Sequence, residues 1–462
     1  VKNIITLTDS YKFGHHNMYP DGTETVYSYL EARNGAKYSY TVFFGLQYLL
    51  KEYLVGQVVT REKIDHAAAL AAKHFGNPNI FNRAMWEHIL AKHDGRLPVR
   101  IRAVPEGTPV PNSNVLMVVE NTDPACFALT NHLETLLTHV WHPCTVATLS
   151  RKVKEQVKHF LEETSMSLDG LPFMLHDFGF RGVSSVESAG LGGAGHLVNF
   201  MGTDTVRAIE VAMEYYGADV CAYSVPATEH SVMTSFGPDG EEKIFERLLE
   251  KYPKGILSVV SDSYDIFRAC ADIIGTKLRD KILARDGVFV VRPDSGDPVA
   301  VVLKILEILG DKFGTTTNEK GFKELPPKLR ILWGDGLDHD AIYDILFAMS
   351  NAGWAASNMA CLGMGGGLLQ KVNRDTQRFA FKCSAQFRDG QWQDIFKEPV
   401  DKTKCSKRGR LALCRIEGAH GSVLRTVPEA KTGGADILQT VFEDGELKRE
   451  YTFDEVRRNA AL

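Results

Sequence analysis

Between Phe173 and Gly367 one arrangement of apolar and polar positions recurs: a short run of aliphatic or aromatic residues stops at polar and glycine residues, and an amphipathic stretch follows. Short apolar runs bounded by turn residues predict buried strands, and the stretches with helical spacing predict helices. The instances are Phe173 to Gly182, Ala218 to His230, Gly255 to Asp265, Gly287 to Pro298, Leu329 to Asp338 and Ala356 to Gly367. So many strand, loop and helix units in so little chain predict a TIM-like α/β barrel, closed or nearly so.

The flanks follow another rule. Thr23 to Glu31 alternates like an antiparallel strand, Phe127 to His139 has helical periodicity, and beyond about residue 385 short strands and turns return, as in GQWQDIF and GELKREYTFDE. The reading is a discontinuous α+β domain built from both chain ends, residues 1–145 and 386–462, around a barrel-like catalytic domain, residues 146–385.

Composition adds exclusions. The chain has 462 residues, 44% hydrophobic and 24% charged, with 40 Gly and 18 Pro, which fits a globular protein with a large core and no low-complexity tract. No run is long and apolar enough to span a membrane, and the opening residues do not read as a signal peptide, so a cytoplasmic protein is expected. The eight cysteines are scattered without a CxxC pair or zinc-finger spacing, as reduced thiols would be. A net charge of −5 argues against nucleic acid as partner, so an anionic substrate must meet a local basic cluster.

Candidate chemistry sits where barrel folds keep it, at the carboxyl ends of the strands. His176, Asp177, Arg181, His230, Asp262, Arg292, Asp294 and Asp335 collect there, more than turn chemistry alone requires. The run CLGMGGGLL places Gly363, Gly365, Gly366 and Gly367 before a helix start, where bare backbone N–H groups suit phosphate or form a tight turn. Lys371, Arg374 and Lys382 follow, and then Lys397, Lys402, Lys404, Lys407, Arg408 and Arg410, a basic excess in an acidic chain. Arg292 and Asp294, two apart at a strand end, point to the same side; they suit a sugar diphosphate with magnesium, or simply pair with each other. Asp262 and Asp335 could serve a glycosidase as acid and base, or a transferase as magnesium and ribose ligands.

The constellation resembles the nicotinamide phosphoribosyltransferases. The strings that carry the resemblance are TDSYKFGHHNMYP, YSYLEAR, HDFGFRGVSS, NFMGTDT, YSVPATEHS, SVVSDSYDI, VRPDSG, GDG, GMGGGLLQK, NRD, FKCS and FKEPVDKTKCSKRGR, in the family's order from residue 8 to beyond 400. It implies a barrel of the type II phosphoribosyltransferase kind in a homodimer with shared active sites, joining nicotinamide to phosphoribosyl pyrophosphate. By that resemblance Phe178 and Tyr11 of the partner subunit sandwich the pyridine ring, Asp204 accepts from the carboxamide, and Ser258 and Arg292 complete that pocket. Asp294, Gly334, Asp335, Gly365 and Gly366 match the sugar-phosphate cradle, with Arg374 and Lys382 donated by the partner chain. Arg33, Arg181, Lys397 and Lys404 match pyrophosphate and nucleotide contacts, Asp262 and Asp294 stand near Mg²⁺, and His230 matches the histidine that ATP phosphorylates.

Two departures stand out: Ala380 replaces an expected serine two before Lys382, and the chain is shorter than animal members near residues 34 to 40. His15, His16 and His132 carry no such match and read as ordinary. The rivals are a nicotinate phosphoribosyltransferase, against which Asp204 speaks; a barrel glycosidase, which would leave the basic run without purpose; and a noncatalytic signalling dimer.

Overall fold

A computed structural model describes residues 2–400, 405–418, 421–432 and 436–461. The chain forms two compact units, one of Val1–Thr148, Ala212–Ala218 and Asn373–Ala461, the other of Leu149–Val211 and Asp219–Val372.

The first unit is organised by an antiparallel sheet in the order Gln391–Asp394, Phe379–Arg388, Thr23–Ala32, Val115–Asn121, Val99–Ala103, Gln439–Glu443, Glu446–Leu447. Both chain ends thus enter one sheet. Thr23–Ala32 is central, flanked by Phe379–Arg388 and Val115–Asn121, and most of its residues are buried rather than alternating. Asp389-Gly390 and Asp444-Gly445 close hairpins with positive φ at both residues (54° and 77°, 49° and 84°), the turn that matches strand twist. Past the second hairpin the expected strand character of GELKREYTFDE gives way to the helix Phe453–Asn459, because Thr452 and Glu455 form a reciprocal capping box.

The second unit is built on a curled parallel sheet in the order Gly202–Thr203, Leu175–Asp177, Met359–Met364, Leu329–Trp333, Asp286–Arg292, Lys254–Val260. It holds six strands rather than a full complement of eight. Five of the six expected units contain a strand. The sixth, Ala218 to His230, does not: Pro226 has no N–H to donate, and the segment makes only isolated bridges. Those bridges reach both edges of the sheet. The Tyr223 amide donates to Met201 O (2.7 Å) and its carbonyl accepts from Thr203 N (3.1 Å), while Pro226 O accepts from Ser258 N and the Thr228 amide donates to Ser258 O (both 3.0 Å).

Helices follow the strands, and four of them are started by a side chain that answers free amides. Ser185, Asp265, Asp297 and Asp338 accept from Ser188 N, Phe267 N, Ala300 N and Ala341 N respectively. Inside the sheet Val290, Leu332 and Cys361, from three neighbouring strands, form a buried apolar cluster on which Phe178 packs. Among the described residues no helix is long and apolar enough to cross a membrane.

Candidate active site

The cluster floors a cavity of about 390 Å³, whose walls include Phe178, Asp204, Tyr223, Ile256, Ser258 and Arg292. That size and its largely apolar lining suit one small organic molecule. Phe178 is held by the absence of side chains beneath it: a Cβ at Gly363 would lie 2.1 Å from its Cε2, and one at Gly334 2.9 Å away. Its amide donates to Met364 O (3.0 Å), and the Arg292 guanidinium stands 5.0 Å from its ring centroid.

Asp204 contributes the polar corner. Its Oδ1 accepts from His176 Nε2 (2.9 Å) and from Ser224 Oγ (2.6 Å). Burial opposes its ionisation, but these bonds and the nearby positive charge outweigh it and hold the carboxyl below its usual range. Both bonds fall on one oxygen, so Oδ2 is left for a ligand donor. Ser258 supplies the other polar atom: it is buried, and its hydroxyl has no hydrogen-bond partner among the described residues. A buried hydroxyl without a partner is costly unless a ligand or water completes it. Next to Asp204, Asp177 is fully buried and accepts from Gly179 N (2.7 Å), while its carbonyl accepts from Asp204 N (2.9 Å). Burial pushes its carboxyl up to about 6.

A second cluster forms around His230, which begins the helix His230–Thr234. Its Nε2 lies 3.0 Å from Asp262 Oδ1, and its Nδ1 lies 4.0 Å from Asp294 Oδ2. Asp262 Oδ2 in turn accepts from the Asp294 amide (3.1 Å) and from Ser295 Oγ. Arg292 and Asp294 do pair, at 3.0 Å, so the plain ion-pair reading of that motif is present; the pair also places Asp294 between Arg292 and His230. Asp262, Asp294 and Asp335 each lie three residues before an aspartate that caps a helix. The caps, Asp265, Asp297 and Asp338, are engaged by backbone, which separates scaffold from candidate chemistry.

Elsewhere in this unit Arg181 is exposed in the turn Phe180–Gly182. Gly365 precedes the single helical turn Gly366–Leu369, and a Cβ at Gly366 would meet nothing. Asp335, exposed, accepts on its carbonyl from Trp333 Nε1 (2.7 Å). His176 and Ser224, which orient Asp204, had no assigned role in the sequence reading. The spacing of His176 and Phe178, two apart across a strand end, was the available signal.

The remaining candidates belong to the first unit. Lys382 Nζ is buried without a hydrogen-bond partner among the described residues; burial lowers its pKa, and the charges of Arg33, Lys397 and Lys407 lower it further, against Glu31. These cations form one basic cluster. Arg374 is exposed and paired with Asp375 (3.3 Å), and Tyr11 is 56% exposed beside His15 (centroids 5.1 Å apart). Lys404 and Lys402 lie outside the described residues.

Solved structures share the fold. Nicotinate-nucleotide pyrophosphorylase from Pyrococcus furiosus aligns with TM-score 0.61 at 17% identity, covering 99% of this chain and 95% of that one. Human nicotinic acid phosphoribosyltransferase aligns with TM-score 0.55 at 16% identity, covering 98% and 92%. At such identities the likeness defines a class of fold, that of the type II phosphoribosyltransferases. In sequence, residues 173–446 match the model of the nicotinate phosphoribosyltransferase (NAPRTase) family, and residues 3–101 match that of the nicotinamide phosphoribosyltransferase N-terminal domain. The nicotinamide phosphoribosyltransferase of Xanthomonas campestris pv. campestris is 49% identical over 465 residues, 99% of this chain and 98% of that protein. That of Acinetobacter baylyi is 33% identical over 495 residues, 99% and 97%. The chain belongs to the nicotinamide phosphoribosyltransferase family.

Proposed function

We propose that the protein transfers the phosphoribosyl group of phosphoribosyl pyrophosphate to nicotinamide, giving nicotinamide mononucleotide and pyrophosphate for NAD salvage. The observation that carries the choice of base is Asp204, held ionised with Oδ2 free in the cavity that Ser258 also lines. A carboxamide donates its N–H to that oxygen, whereas the carboxylate of nicotinate would meet a like charge. The amide is therefore the preferred substrate, although one of the matching family models bears the name of the acid.

Nicotinamide stacks on Phe178 under Arg292, with Tyr11 of the partner subunit on its other face in a homodimer. Its pyridine nitrogen already carries a lone pair, so attack on the anomeric carbon needs no general base, only alignment and help for the leaving group. The nitrogen–carbon bond forms as the carbon–oxygen bond to pyrophosphate breaks. Arg181, Arg33, Lys397 and Lys404 neutralise charge on the leaving pyrophosphate. Gly334, Asp335, Gly365 and Gly366, with Arg374 and Lys382 of the partner subunit, hold the sugar phosphate.

The hard oxygens of Asp262 and Asp294 fit Mg²⁺, which uses few protein carboxylates and takes its remaining ligands from phosphates and water. When bound, Mg²⁺ would offset pyrophosphate charge; these two aspartates would hold it. ATP enters as an activating co-substrate. Asp262 engages Nε2 of His230, which leaves the Nδ1 lone pair, 4.0 Å from Asp294 Oδ2, to bond the γ-phosphorus as ADP departs. The phosphorylated His230 then presents added negative charge that organises the pyrophosphate site.

The test is to incubate the protein with phosphoribosyl pyrophosphate, Mg²⁺ and nicotinamide or nicotinate, with and without ATP, and to quantify both mononucleotides by mass spectrometry. Nicotinamide mononucleotide as the main product, raised by ATP, is the expected result. Nicotinate mononucleotide in excess would reverse the assignment of Asp204.

A further inference from the structure

Within the first unit, His88, Asp123 and Cys126 bring metal-ligating atoms together and His93 meets the same aspartate, and no step of the proposed reaction uses any of them. The helix Arg83–Lys92 carries His88, and His93 is the C-cap that follows it. The chain leaving the strand Val115–Asn121 carries Asp123 and, three residues on, Cys126. Nε2 of His88 and Nε2 of His93 lie 2.8 and 2.7 Å from the same oxygen, Asp123 Oδ2. One ligand atom each from His88, Asp123 and Cys126 fall within 4.8 Å of one another.

Local sequence builds this arrangement. Asn82 accepts from Met85 N (3.2 Å) and starts the helix; His93 N donates to Ile89 O (3.1 Å) and ends it, so the two imidazoles emerge near one end. Asp123 Oδ1 accepts from Ala125 N (2.8 Å), which caps the turn Pro124–Cys126 and leaves Oδ2 to the histidines. The side chains of His88, His93 and Asp123 are 31%, 25% and 21% exposed, so an ion can reach them, while Cys126 is fully buried beneath.

We infer that His88, His93, Asp123 and Cys126 form a zinc-binding site that ties the end of the helix Arg83–Lys92 to the loop after Val115–Asn121. Two imidazoles, a carboxylate and a thiolate make a borderline-soft set of four that suits tetrahedral Zn²⁺ and does not suit Mg²⁺ or Ca²⁺. On binding, each imidazole shifts its proton from Nε2 to Nδ1 through solvent, so that the neutral ring offers the Nε2 lone pair, and the Cys126 thiol loses its proton to solvent as the sulfur–zinc bond forms. To span one ion at ~2.0–2.1 Å from nitrogen and oxygen and about 2.3 Å from sulfur the side chains must draw together by rotation: the ligand atoms of His88, Asp123 and Cys126 start within 4.8 Å of one another, and His93 joins them from its contact with Asp123 Oδ2. Four protein ligands leave no open position, so the ion is structural.

The test uses the full chain, stripped with a chelator, equilibrated with Zn²⁺, desalted, and counted for metal by mass spectrometry; Co²⁺ replaces Zn²⁺ in a parallel optical titration. The wild type is expected to retain a single equivalent of zinc and, with Co²⁺, to show tetrahedral visible bands with a near-ultraviolet thiolate band. Cys126→Ala abolishes the thiolate band. His88→Gln and His93→Gln each weaken zinc binding about a hundredfold or more, since even outer-shell changes cost tenfold to a hundredfold. The histidine variants also serve where Cys126→Ala does not fold, and their nicotinamide mononucleotide synthesis stays at the wild-type level. Failure of the wild type to retain zinc would overturn the inference and leave a hydrogen-bonded His–Asp–His cluster; retention undiminished in both histidine variants would overturn it equally.

Discussion

Asp204→Asn removes one charge and little else, which makes it the sharpest probe of base selection. In the wild type both His176 and Ser224 donate to Oδ1, and the second oxygen is the one proposed to meet the substrate. Asparagine can keep its Oδ1 in that position, so its Nδ2 takes the place of Oδ2 and an acceptor becomes a donor. Two unit charges about 4 Å apart interact by about 1 kcal/mol in water and about 4 kcal/mol at an effective dielectric of about 20. The Asp204 side chain is 48% exposed, so solvent screening discounts the upper figure. A charge contribution of about 2 kcal/mol follows, roughly thirtyfold in selectivity. The assay is competition: nicotinamide and nicotinate together, with the two mononucleotides resolved by mass spectrometry to give the ratio of kcat/KM values. Asp204→Asn should bring that ratio to unity or below, and Asp204→Ala should bring it near unity with lower rates for both. A ratio unchanged in both variants would refute the electrostatic reasoning, whatever the rates.

Ser258→Ala removes a buried hydroxyl that has no protein partner, so the melting temperature should hold or rise while kcat/KM for nicotinamide falls about fivefold, the worth of one hydrogen bond of about 1 kcal/mol. Gly363→Ala would drive a Cβ into the Phe178 ring; a loss of about 1–3 kcal/mol of stability and a marked rise in KM for nicotinamide are expected from denaturation and initial rates. His230→Ala should abolish stimulation by ATP and leave ATP-independent synthesis, and undiminished stimulation would remove the phosphohistidine step. Asp177 gives a pH dependence: its folded value, about 6, lies above the ordinary 3.8, so the fold holds that proton more tightly than the unfolded chain does. The stabilisation is complete below about pH 4 and is lost as pH rises through 6, by about 3 kcal/mol in all. Thermal unfolding of the wild type relative to Asp177→Asn should therefore worsen between pH 4 and 6 and level off above, and a flat difference would contradict the burial argument.

Much of the second unit was legible along the chain, because a buried parallel strand needs a continuous apolar run and its loop needs polar residues at a fixed end. The runs before Asp262, Asp294 and Asp335 meet that condition, and strands stand there. Gly202–Thr203 was not legible, since two residues carry no periodicity. The segment through Pro226 had the composition of a strand but could not complete a ladder, and it bonds to the two edge strands through isolated bridges instead.

Residue types and order by themselves determined the family, the parallel strand grammar and the pool of candidate side chains, because those depend on local composition and on strings long enough to be distinctive. Which aspartate of each pair three apart caps a helix and which is free for chemistry was decided only by tertiary structure. In sequence Asp262 and Asp265 are equivalent; in the fold one meets His230 and the other meets two helix amides. The same holds for the orphan hydroxyl of Ser258, for the two donors that crowd one oxygen of Asp204, and for His88 and Cys126, thirty-eight positions apart along the chain (126 minus 88) and brought together around Asp123. Hydrogen bonding and desolvation act over a few ångströms in space, and only the packed chain sets those distances.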